Sequence, residues 1–585
     1  MRIRSLAAAA AALLLPAAPA LAAGDPIMPL AQVQAGMQCT AYSVVRGTDI
    51  ASFGVEVLDV VDGDPDESGP RILVQVSGPA VDATGVGPGF SGSPIYCADG
   101  AGVARNIGAI SESIGEYGGK VVLATPIEQI VGTPVDPPAK QAAKDAGHAS
   151  TARAGWARDL LARAKPLAAP LTISGVSSTV ATALQAAAQK AGRTVLAVPA
   201  GPVGGYPKQA LVPGAAVGTA YSDGDLRYGA VGTVSYVDGD KVWAFGHPLE
   251  DAGPRALLLQ DAYVFRVINN PVQLPTAATY KLAALGHDLG TLTNDATDAV
   301  AGHTGALPHT VPVTALARDT DTGRTATIRS RVADEAAVDL PSGGSWLTSV
   351  GPLAVVQAAT NVLGSTPGRV TGRMCARIGL AELKAPLRFC NRYVSIAQEQ
   401  GDDGSLGNAV TTGAAGDLAT ALSSVDAYTG KPPRITGVSV LLELHRGADQ
   451  AYLRRISVPR TIRRGTTVKA RATLQRLRGS EFTRTYRVRV PGDARPGRMK
   501  LRLAGRDADG GDASLGTTII IGDDSAGDGA GDEGPRTLRE LSDQVKANGR
   551  YDGVTLRLGA AQERAFRDAG LRISGRAEAT VRVTR

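Results

Sequence analysis

The sequence has 585 residues, with 61 lysine and arginine residues against 55 acidic ones, a formal net charge of +6. Its length predicts several domains, and an apolar content of 44% is ample for packed cores, which excludes a wholly disordered chain. Aromatic residues, at 4%, leave little surface for stacking on bases, so we expect no nucleic-acid partner. Abundant glycine and proline favour short strands joined by many turns, and therefore a mainly β fold.

The N-terminus has the three parts of a secretory signal peptide. Arg2 and Arg4 precede an apolar run, Leu6–Leu15, and small residues follow at Ala20–Ala23. We interpret residues 1–22 as a cleaved signal peptide; the alternative is an uncleaved anchor, although the run is shorter than the ~20 residues that span a bilayer. Cleavage removes two arginines and no acid, which lowers the net charge from +6 to +4. No later stretch is long and apolar enough to span a membrane, so we expect a secreted or cell-surface protein without a transmembrane segment in the mature chain.

Four cysteines fall into two groups that are far apart in the sequence. Export to an oxidising compartment permits disulfide bonds. We expect the sequence-local pairs Cys39–Cys97 and Cys375–Cys390, one of three possible connectivities, with four free thiols as the alternative. No cysteines are spaced C-x-x-C, and neither a metal site nor a cofactor is expected.

Residues 24–133 form the first segment, in which short runs rich in β-branched residues are bounded by glycine, aspartate or proline. The predicted strands are Ala41–Val45, Phe53–Val61, Arg71–Val76, Ile107–Ser111 and Val121–Ala124. The acidic turn Asp62–Glu67 is interpreted as a solvated loop; a calcium loop is the alternative, but it lacks the glycine that an EF-hand needs at its sixth position. Residues 134–155, rich in proline, alanine and lysine, predict a linker.

Residues 156–395 form the second segment and begin with helical spacing of apolar residues at Trp156–Ala164 and Thr179–Lys190. Strand signals return from Ala215 to about Ser395. Residues 396–432 are polar and rich in glycine and alanine, and predict a second linker.

Residues 433–522 alternate polar and apolar side chains again and predict an immunoglobulin-like β-sandwich. The predicted strands are Gly437–Leu444, Thr467–Leu474, Phe482–Val490, Met499–Leu503 and Thr517–Ile521. From Arg446 to Arg502 the chain has 17 basic residues against three acidic ones, a local charge of +14. An acidic linker at 523–535 and a small α+β segment at 536–585, with a helix at Thr537–Lys546, complete the chain.

One glycine-rich motif in the first segment has the pattern of a serine nucleophile. It reads Gly87-Pro88-Gly89-Phe90-Ser91-Gly92-Ser93-Pro94. A serine nucleophile needs an exposed Oγ and two convergent N–H groups for the developing oxyanion. Glycines two residues before Ser91 and one residue after it permit a tight turn that points the N–H groups of Gly89 and Ser91 into one oxyanion hole. An ordinary glycine-rich turn between strands is the alternative.

A serine nucleophile also needs a base, and His247 stands out among the six histidines. It follows a hairpin, Gly232–Ala244, whose turn is Asp238-Gly239, and it lies in the sequence Gly246-His247-Pro248. This places an imidazole at the end of a strand, where a catalytic base can be presented. A structural histidine at a strand end is the alternative.

Together the two motifs resemble the SpoIVB-type (sporulation stage IV B) serine peptidases, in particular a secreted bacterial subgroup. In that family a Gly-Met-Ser-Gly-Ser-Pro motif carries the nucleophile and a hairpin ending in Leu-Gly-His carries the base; Ser91 and His247 match these positions. The further matching stretches are Met28–Leu30, Gly36–Met37, Thr40–Tyr42, Thr125–Glu128 and Leu289–Asp295. The resemblance covers roughly residues 28–390 and implies a chymotrypsin-like double β-barrel, here with a helical insertion.

The chain departs from the pattern of that family in three ways. The serine precedes the histidine, which implies a circularly rearranged double barrel; no PDZ-like segment precedes the site; and Ser77–Pro79 stands where the family has its Asp-Pro pair. Asp295, 48 residues after His247, suits the order of chymotrypsin-like barrels and is the expected third member of the triad. Asp298 is held in reserve, and Asp82 is the alternative on the side of the nucleophile.

Two functions follow from these observations. The favoured one is an exported serine endopeptidase that cleaves a protein or peptide substrate through an acyl-enzyme on Ser91, with His247 as base. The alternative is a non-catalytic, degenerate peptidase at the cell surface, whose basic sandwich binds an anionic cell-envelope polymer by charge.

Overall fold

The computed structural model describes most of the chain. The described residues are 24–62, 69–114, 119–137, 164–167, 171–190, 195–198, 205–269, 279–336, 338, 345–364, 368–396, 408–505, 534–548, 553–559, 564–568 and 570–585. The predicted signal peptide, nearly all of the acidic turn, the predicted helix at 156–164 apart from Ala164, and the predicted strand at 517–521 lie outside these residues; Ala164 begins a strand. The described chain is mainly β, as the composition predicts.

The first segment is a closed, six-stranded antiparallel barrel, which we call the first barrel. Its strands are β1 (Gln38–Arg46), β2 (Asp49–Val61), β3 (Arg71–Ser77), β4 (Pro94–Ala98), β5 (Ala104–Ile114) and β6 (Val121–Pro126). They pair in the order β1-β2-β3-β6-β5-β4, and β4 returns to β1. Apolar side chains alternate along the strands and fill the barrel, as in Phe53, Val55 and Val57 of β2.

Two short helical elements and one added strand accompany the first barrel. A 3₁₀ helix (Leu30–Gln32) precedes β1, and α1 (Ile127–Gly132) follows β6. Strand β7 (Ala164–Pro166) pairs with the end of β5 outside the closed circuit. A disulfide of 58-residue separation joins Cys39 and Cys97, which are directly opposite each other on β1 and β4.

The second segment contains a sheet whose pairings also close on themselves. It is preceded by β8 (Leu171–Ser174), α2 (Ser178–Lys190) and β9 (Val195–Val198). The six strands of the second closed sheet are β10 (Ala216–Gly224), β11 (Arg227–Asp238), β12 (Lys241–Ala244), β13 (Gly253–Asn269), β14 (Thr279–Ala296) and β15 (Ala299–Thr304). They pair in the order β10-β11-β12-β15-β14-β13, with β13 back on β10, and every pairing is antiparallel. Strand for strand, this is the order of the first barrel.

Further strands and two helices extend the second closed sheet. They are β16 (Thr310–Asp319), β17 (Thr325–Ala333), α3 (Leu347–Leu363), β18 (Val370–Leu380), β19 (Leu387–Ser395), α4 (Ala409–Asp426) and β20 (Ile435–Arg446). Strand β17 pairs with β10, and the sheet continues through β16, β20, β18 and β19. A second disulfide joins Cys375 and Cys390 across β18 and β19, so that both cysteine pairs are the sequence-local ones.

The linker predicted at 396–432 contains a buried helix instead. Helix α4 packs on α3 within one apolar core, and Asn408 caps it by accepting hydrogen bonds from the N–H groups of Val410 and Thr411. The glycine and alanine that suggested a linker serve here as small side chains that allow close packing, since a Cβ on Gly413 would lie 2.8 Å from the ring of Tyr393. Composition alone therefore misassigned this segment.

The C-terminal strands form one module with two small sheets around a shared core. Its elements are β21 (Gln450–Ser457), β22 (Thr461–Arg463), β23 (Thr467–Arg476), β24 (Glu481–Arg489), β25 (Gly497–Gly505), β26 (Val554–Leu558), β27 (Arg564–Phe566), β28 (Arg572–Ser574) and β29 (Arg576–Thr584). Helix α5 (Leu538–Ala547) lies between β25 and β26 in sequence but packs on the second segment, because its Leu541 and Val545 belong to the core that contains α3 and α4. Strands β26–β29, predicted as a separate segment, complete these sheets, because β29 and β26 flank β25. The predicted strand 437–444 lies in β20 and belongs to the preceding sheet. None of the helices in the described residues combines the length and apolar character needed to cross a bilayer.

Candidate functional site

The Ser91 loop connects β3 to β4, the third and fourth strands of the first barrel. Gly89 and Gly92 have positive φ angles of 94° and 89°, which side chains rarely adopt. A Cβ on Gly92 would lie 2.0 Å from the carbonyl oxygen of Thr233, and one on Gly89 would lie 2.8 Å from Cβ of Lys281. Both glycines are therefore required by the local backbone and by close packing.

Two backbone N–H groups of this loop have no acceptor among the described residues. Within the described residues, the N–H groups of Gly89 and Ser91 make no hydrogen bond, whereas those of Phe90, Gly92 and Ser93 donate to carbonyl oxygens. The two free donors are the pair that the sequence assigned to an oxyanion hole. Ser91 itself is fully buried, in contrast to the exposed Oγ that the sequence motif predicts, and its Oγ has no hydrogen-bond partner among the described residues.

The Ser91 loop packs on the second closed sheet through backbone hydrogen bonds. The N–H of Thr233 donates to the Ser91 carbonyl at 2.9 Å, and the Thr233 hydroxyl donates to the Gly89 carbonyl at 3.1 Å. The Thr233 carbonyl in turn accepts a hydrogen bond from the N–H of Phe245 at 3.2 Å. Thr233 thus joins the serine loop to the segment that leads into His247.

His247 lies between β12 and β13, the third and fourth strands of the second closed sheet. The serine and the histidine therefore occupy the same connection in two sheets of identical strand order. The chain reaches His247 through positive φ angles at Phe245 and Gly246 (71° and 69°). The Gly246 carbonyl accepts a hydrogen bond from the Thr125 hydroxyl of β6 at 2.7 Å, which ties this loop to the first barrel.

The His247 ring is 2% exposed and has a carbonyl oxygen at each nitrogen. Nδ1 lies 2.6 Å from the Pro248 carbonyl and Nε2 lies 3.1 Å from the Leu167 carbonyl. Burial lowers the pKa of His247 below its usual range, although both carbonyls favour the protonated ring. A neutral ring has a single N–H and can satisfy only one of the two carbonyl oxygens.

One short stretch of β5 brings the pieces of the site together. The Ile110 carbonyl accepts a hydrogen bond from the N–H of Gly92 at 2.7 Å, and a Cβ on Gly246 would lie 3.4 Å from the same oxygen. The next carbonyl, that of Ser111, accepts from the N–H of Leu167 at 2.8 Å. The loops of Ser91 and His247 and the segment ending at Leu167 thus converge on Ile110–Ser111. No hydrogen bond joins Ser91 Oγ to His247 in the described residues, and the Nε2 atom of His247 faces the Leu167 carbonyl instead.

Asp295 lies near the end of β14, the fifth strand of the second closed sheet. Its carboxylate accepts hydrogen bonds from the N–H groups of Leu249 (2.7 Å), Glu250 (2.8 Å) and Ala252 (3.3 Å), and not from the imidazole. Burial raises the pKa of Asp295, opposed by these N–H groups and by Arg255, whose guanidinium lies 3.8 Å away. Asp295 therefore holds the loop that follows His247.

The other candidate acids lie elsewhere. Asp298 is 3.4 Å from Arg71, which is also paired with Glu112 at 2.7 Å. Asp82 is exposed and paired with Lys120 at 3.2 Å. Within the described residues, no carboxylate oxygen lies within hydrogen-bonding distance of the His247 ring, and no group of three histidine, cysteine or acidic side chains is placed to hold a metal ion.

A buried lysine behind the serine loop was missed by the sequence reasoning. Lys281 Nζ donates to the hydroxyls of Ser43 (2.7 Å) and Thr233 (3.2 Å) and lies 4.5 Å from the centre of the Phe90 ring. Burial lowers the pKa of Lys281 to about 7. A single basic residue among the apolar side chains of this strand was the available signal, and it was not used.

The buried Arg255 was missed as well. Its guanidinium pairs with Glu335 at 2.8 Å and with Glu250 at 2.6 Å, and its side chain is 1% exposed. The partners are 80 and five residues away in sequence, so only the fold shows that these charges are balanced.

Comparison with protein-family models, with curated proteins and with solved structures finds no match to this chain. The assignment of a function therefore depends on the geometry of the site and on the motifs in the sequence.

We predict that Gly92→Ala destabilises the protein by more than about 2 kcal/mol, because the new Cβ combines a positive φ with a clash against the Thr233 carbonyl. Gly100→Ala is the matched control, since a Cβ there meets nothing within 4 Å. Urea unfolding of the three proteins measures the difference. Equal losses in the two variants would contradict the packing of this loop.

We predict that stability rises between pH 7 and pH 10 because of Lys281. Its pKa is about 7 when folded and about 10.4 when unfolded, so the unfolded chain binds more protons in this window. The contribution reaches about 1.4 kcal/mol per pH unit and is absent in Lys281→Met. Urea unfolding at pH 7 and pH 9 measures it, with Lys120→Met as the control for an exposed lysine. An identical pH dependence in wild type and Lys281→Met would show that the folded-state pKa is not lowered.

Proposed function

We propose that this protein is an exported serine endopeptidase of the SpoIVB type, with Ser91 as nucleophile and His247 as base. The observation that carries the proposal is the meeting of two equivalent loops, each between the third and fourth strands of its six-stranded sheet, at Ile110–Ser111 of β5. Two six-stranded antiparallel sheets of one strand order favour a chymotrypsin-like double barrel. The serine lies in the sheet that comes first in sequence, as a circularly rearranged double barrel requires.

The mechanism starts from a neutral imidazole, which burial favours. With its proton on Nδ1, donated to the Pro248 carbonyl, the ring keeps the Nε2 lone pair for the Ser91 hydroxyl. Ser91 Oγ attacks the substrate carbonyl, and the free N–H groups of Gly89 and Ser91 stabilise the oxyanion. His247 passes the proton to the leaving amine, and water then hydrolyses the acyl-enzyme.

In this mechanism the tautomer of His247 is fixed by a backbone carbonyl. Asp295 acts as a positioning residue, because its three N–H contacts fix the loop that carries the Pro248 carbonyl. Its carboxylate also lies 3.8 Å from the buried Arg255 guanidinium and partly neutralises that positive charge.

The test is labelling by a fluorophosphonate probe, which reacts with activated serines. We expect labelling of the wild type and of Ser113→Ala, no labelling of Ser91→Ala, and labelling at least about a hundredfold slower in His247→Ala. The same assay is run on Leu167→Gly, which keeps the carbonyl that faces Nε2 but removes the buried side chain that anchors this segment. Undiminished labelling of Ser91→Ala would overturn the proposal. A failure to label both the wild type and Leu167→Gly would also overturn it.

A second candidate function is favoured by the outer face of the C-terminal module. Lys469, Arg471, Arg487 and Arg489 are all exposed on β23 and β24, and Lys469 lies directly opposite Arg487. In the described residues none of the four forms an ion pair. Like charges placed opposite each other are destabilising, so their presence favours a bound polyanion. We infer that this module, of immunoglobulin-like type, holds the protein on an anionic cell-envelope polymer.

Binding of the full chain to a poly(glycerol phosphate) teichoic acid tests this second function. Lys469→Ser with Arg487→Ser is expected to weaken binding at least about threefold, and added salt to weaken the wild type. Arg377→Ser with Arg388→Ser is the control, because these exposed arginines are also cross-strand neighbours but lie outside the module. Salt-independent binding, or equal losses in both double variants, would contradict the inference.

A further inference from the structure

A short segment of the chain extends the first barrel beside the candidate site. In the closed circuit β5 pairs with β4 along residues 104–109 and with β6 on its other edge. Beyond the end of β4, the exposed edge of β5 is taken by β7, which pairs antiparallel through Glu112, Ser113 and Ile114. Addition of an extended chain to a free strand edge is a general mode of peptide binding, in which backbone hydrogen bonds provide affinity.

Leu167, the residue directly after β7, has three contacts that relate it to the site. Its N–H donates to the Ser111 carbonyl at 2.8 Å and continues the strand pairing by one residue. Its side chain is 2% exposed and belongs to the apolar cluster of the first barrel, which includes Phe90 of the serine loop. Its carbonyl oxygen lies 3.1 Å from His247 Nε2.

This carbonyl lies at the ring nitrogen of His247 that Ser91 needs in the proposed mechanism. The Leu167 oxygen takes the nitrogen that must accept the Ser91 proton. In the described residues neither Gly89 N–H nor Ser91 N–H donates to it, so the carbonyl lies outside the proposed oxyanion hole. The segment therefore blocks the proposed base, and its carbonyl is not held by the donors that would activate it for attack.

We propose that residues 164–167 are an intramolecular occupant of the substrate cleft, and that the site takes an extended peptide along the edge of β5 with a leucine-like residue directly before the reacting bond. This inference rests on the proposed function. Backbone pairing with β5 gives affinity, and burial of the apolar side chain gives specificity. Because the occupant is tethered, it competes at an effective concentration on the order of millimolar, and an external peptide must displace it.

Peptide binding in the Ser91→Ala background tests the inference without requiring catalysis. The probe is the peptide acetyl-Ala-Lys-Pro-Leu-amide, and its partner has aspartate in place of leucine. We expect the leucine peptide to bind Ser91→Ala/Leu167→Gly at least about tenfold more tightly than Ser91→Ala alone, and the aspartate peptide to bind neither. Ser91→Ala/Leu307→Gly is the control, since Leu307 is 46% exposed. Equal affinity in both backgrounds, or equal affinity for both peptides, would overturn the proposal.

Hydrogen exchange provides a second measurement that leaves Leu167 in place, since removing a buried leucine can unfold the protein. A millimolar concentration of the leucine peptide should speed exchange of the Leu167 amide, whose acceptor is the Ser111 carbonyl. Unchanged exchange would also overturn the proposal. A positive result in both experiments with no probe labelling of Ser91 would retain the cleft and its occupant but reject the peptidase function.

Discussion

The hydrogen bonds between Thr233 and the Ser91 loop are the contact on which the rest of the site depends. They join a loop of the first barrel to a strand of the second closed sheet, one from the Thr233 N–H to the Ser91 carbonyl and one from the Thr233 hydroxyl to the Gly89 carbonyl. This approach is possible only because residue 92 is glycine, since a Cβ there would lie 2.0 Å from the Thr233 oxygen. The same strand leads through its hairpin to Phe245, whose N–H returns to Thr233. The relative position of serine and histidine is thereby determined by backbone contacts.

Three ionisable side chains are buried around this contact: Lys281, Asp295 and Arg255. Lys281 lies behind the serine loop and donates to two hydroxyl groups, and burial lowers its pKa to about 7. Asp295 and Arg255 lie beneath the loop of His247, and each is nearly inaccessible to solvent. Burying such groups costs free energy unless they are paired, and perturbed ionisable groups concentrate at functional sites. Their placement on both sides of one interface supports the choice of this interface as the site.

Sequence reasoning succeeded where the requirement is local. The glycines flanking Ser91 predicted a tight turn with free N–H groups, because positive φ angles are accessible mainly to glycine. Sequence reasoning failed where the decisive contact joins residues that are far apart in the chain. The Leu167 carbonyl contacts the His247 ring across 80 residues, and no periodicity reveals such a contact. The alanine and glycine of α4 gave too weak an apolar pattern to predict a helix, although its burial against α3 is extensive. Asp295 was selected by its order in the chain, which brought it to the correct loop but not to the imidazole.

The Leu167 carbonyl faces Nε2 of His247, so the proposed mechanism requires movement of the segment that ends at Leu167. The most direct measurement is the location of a covalent adduct formed by a peptidyl phosphonate ester with leucine next to phosphorus, which forms an Oγ–P bond and releases the alcohol. Mass-spectrometric mapping should find the adduct on Ser91, formed faster in Leu167→Gly than in the wild type, and absent when leucine is replaced by aspartate. An adduct on another residue, or none in either protein, would contradict the account.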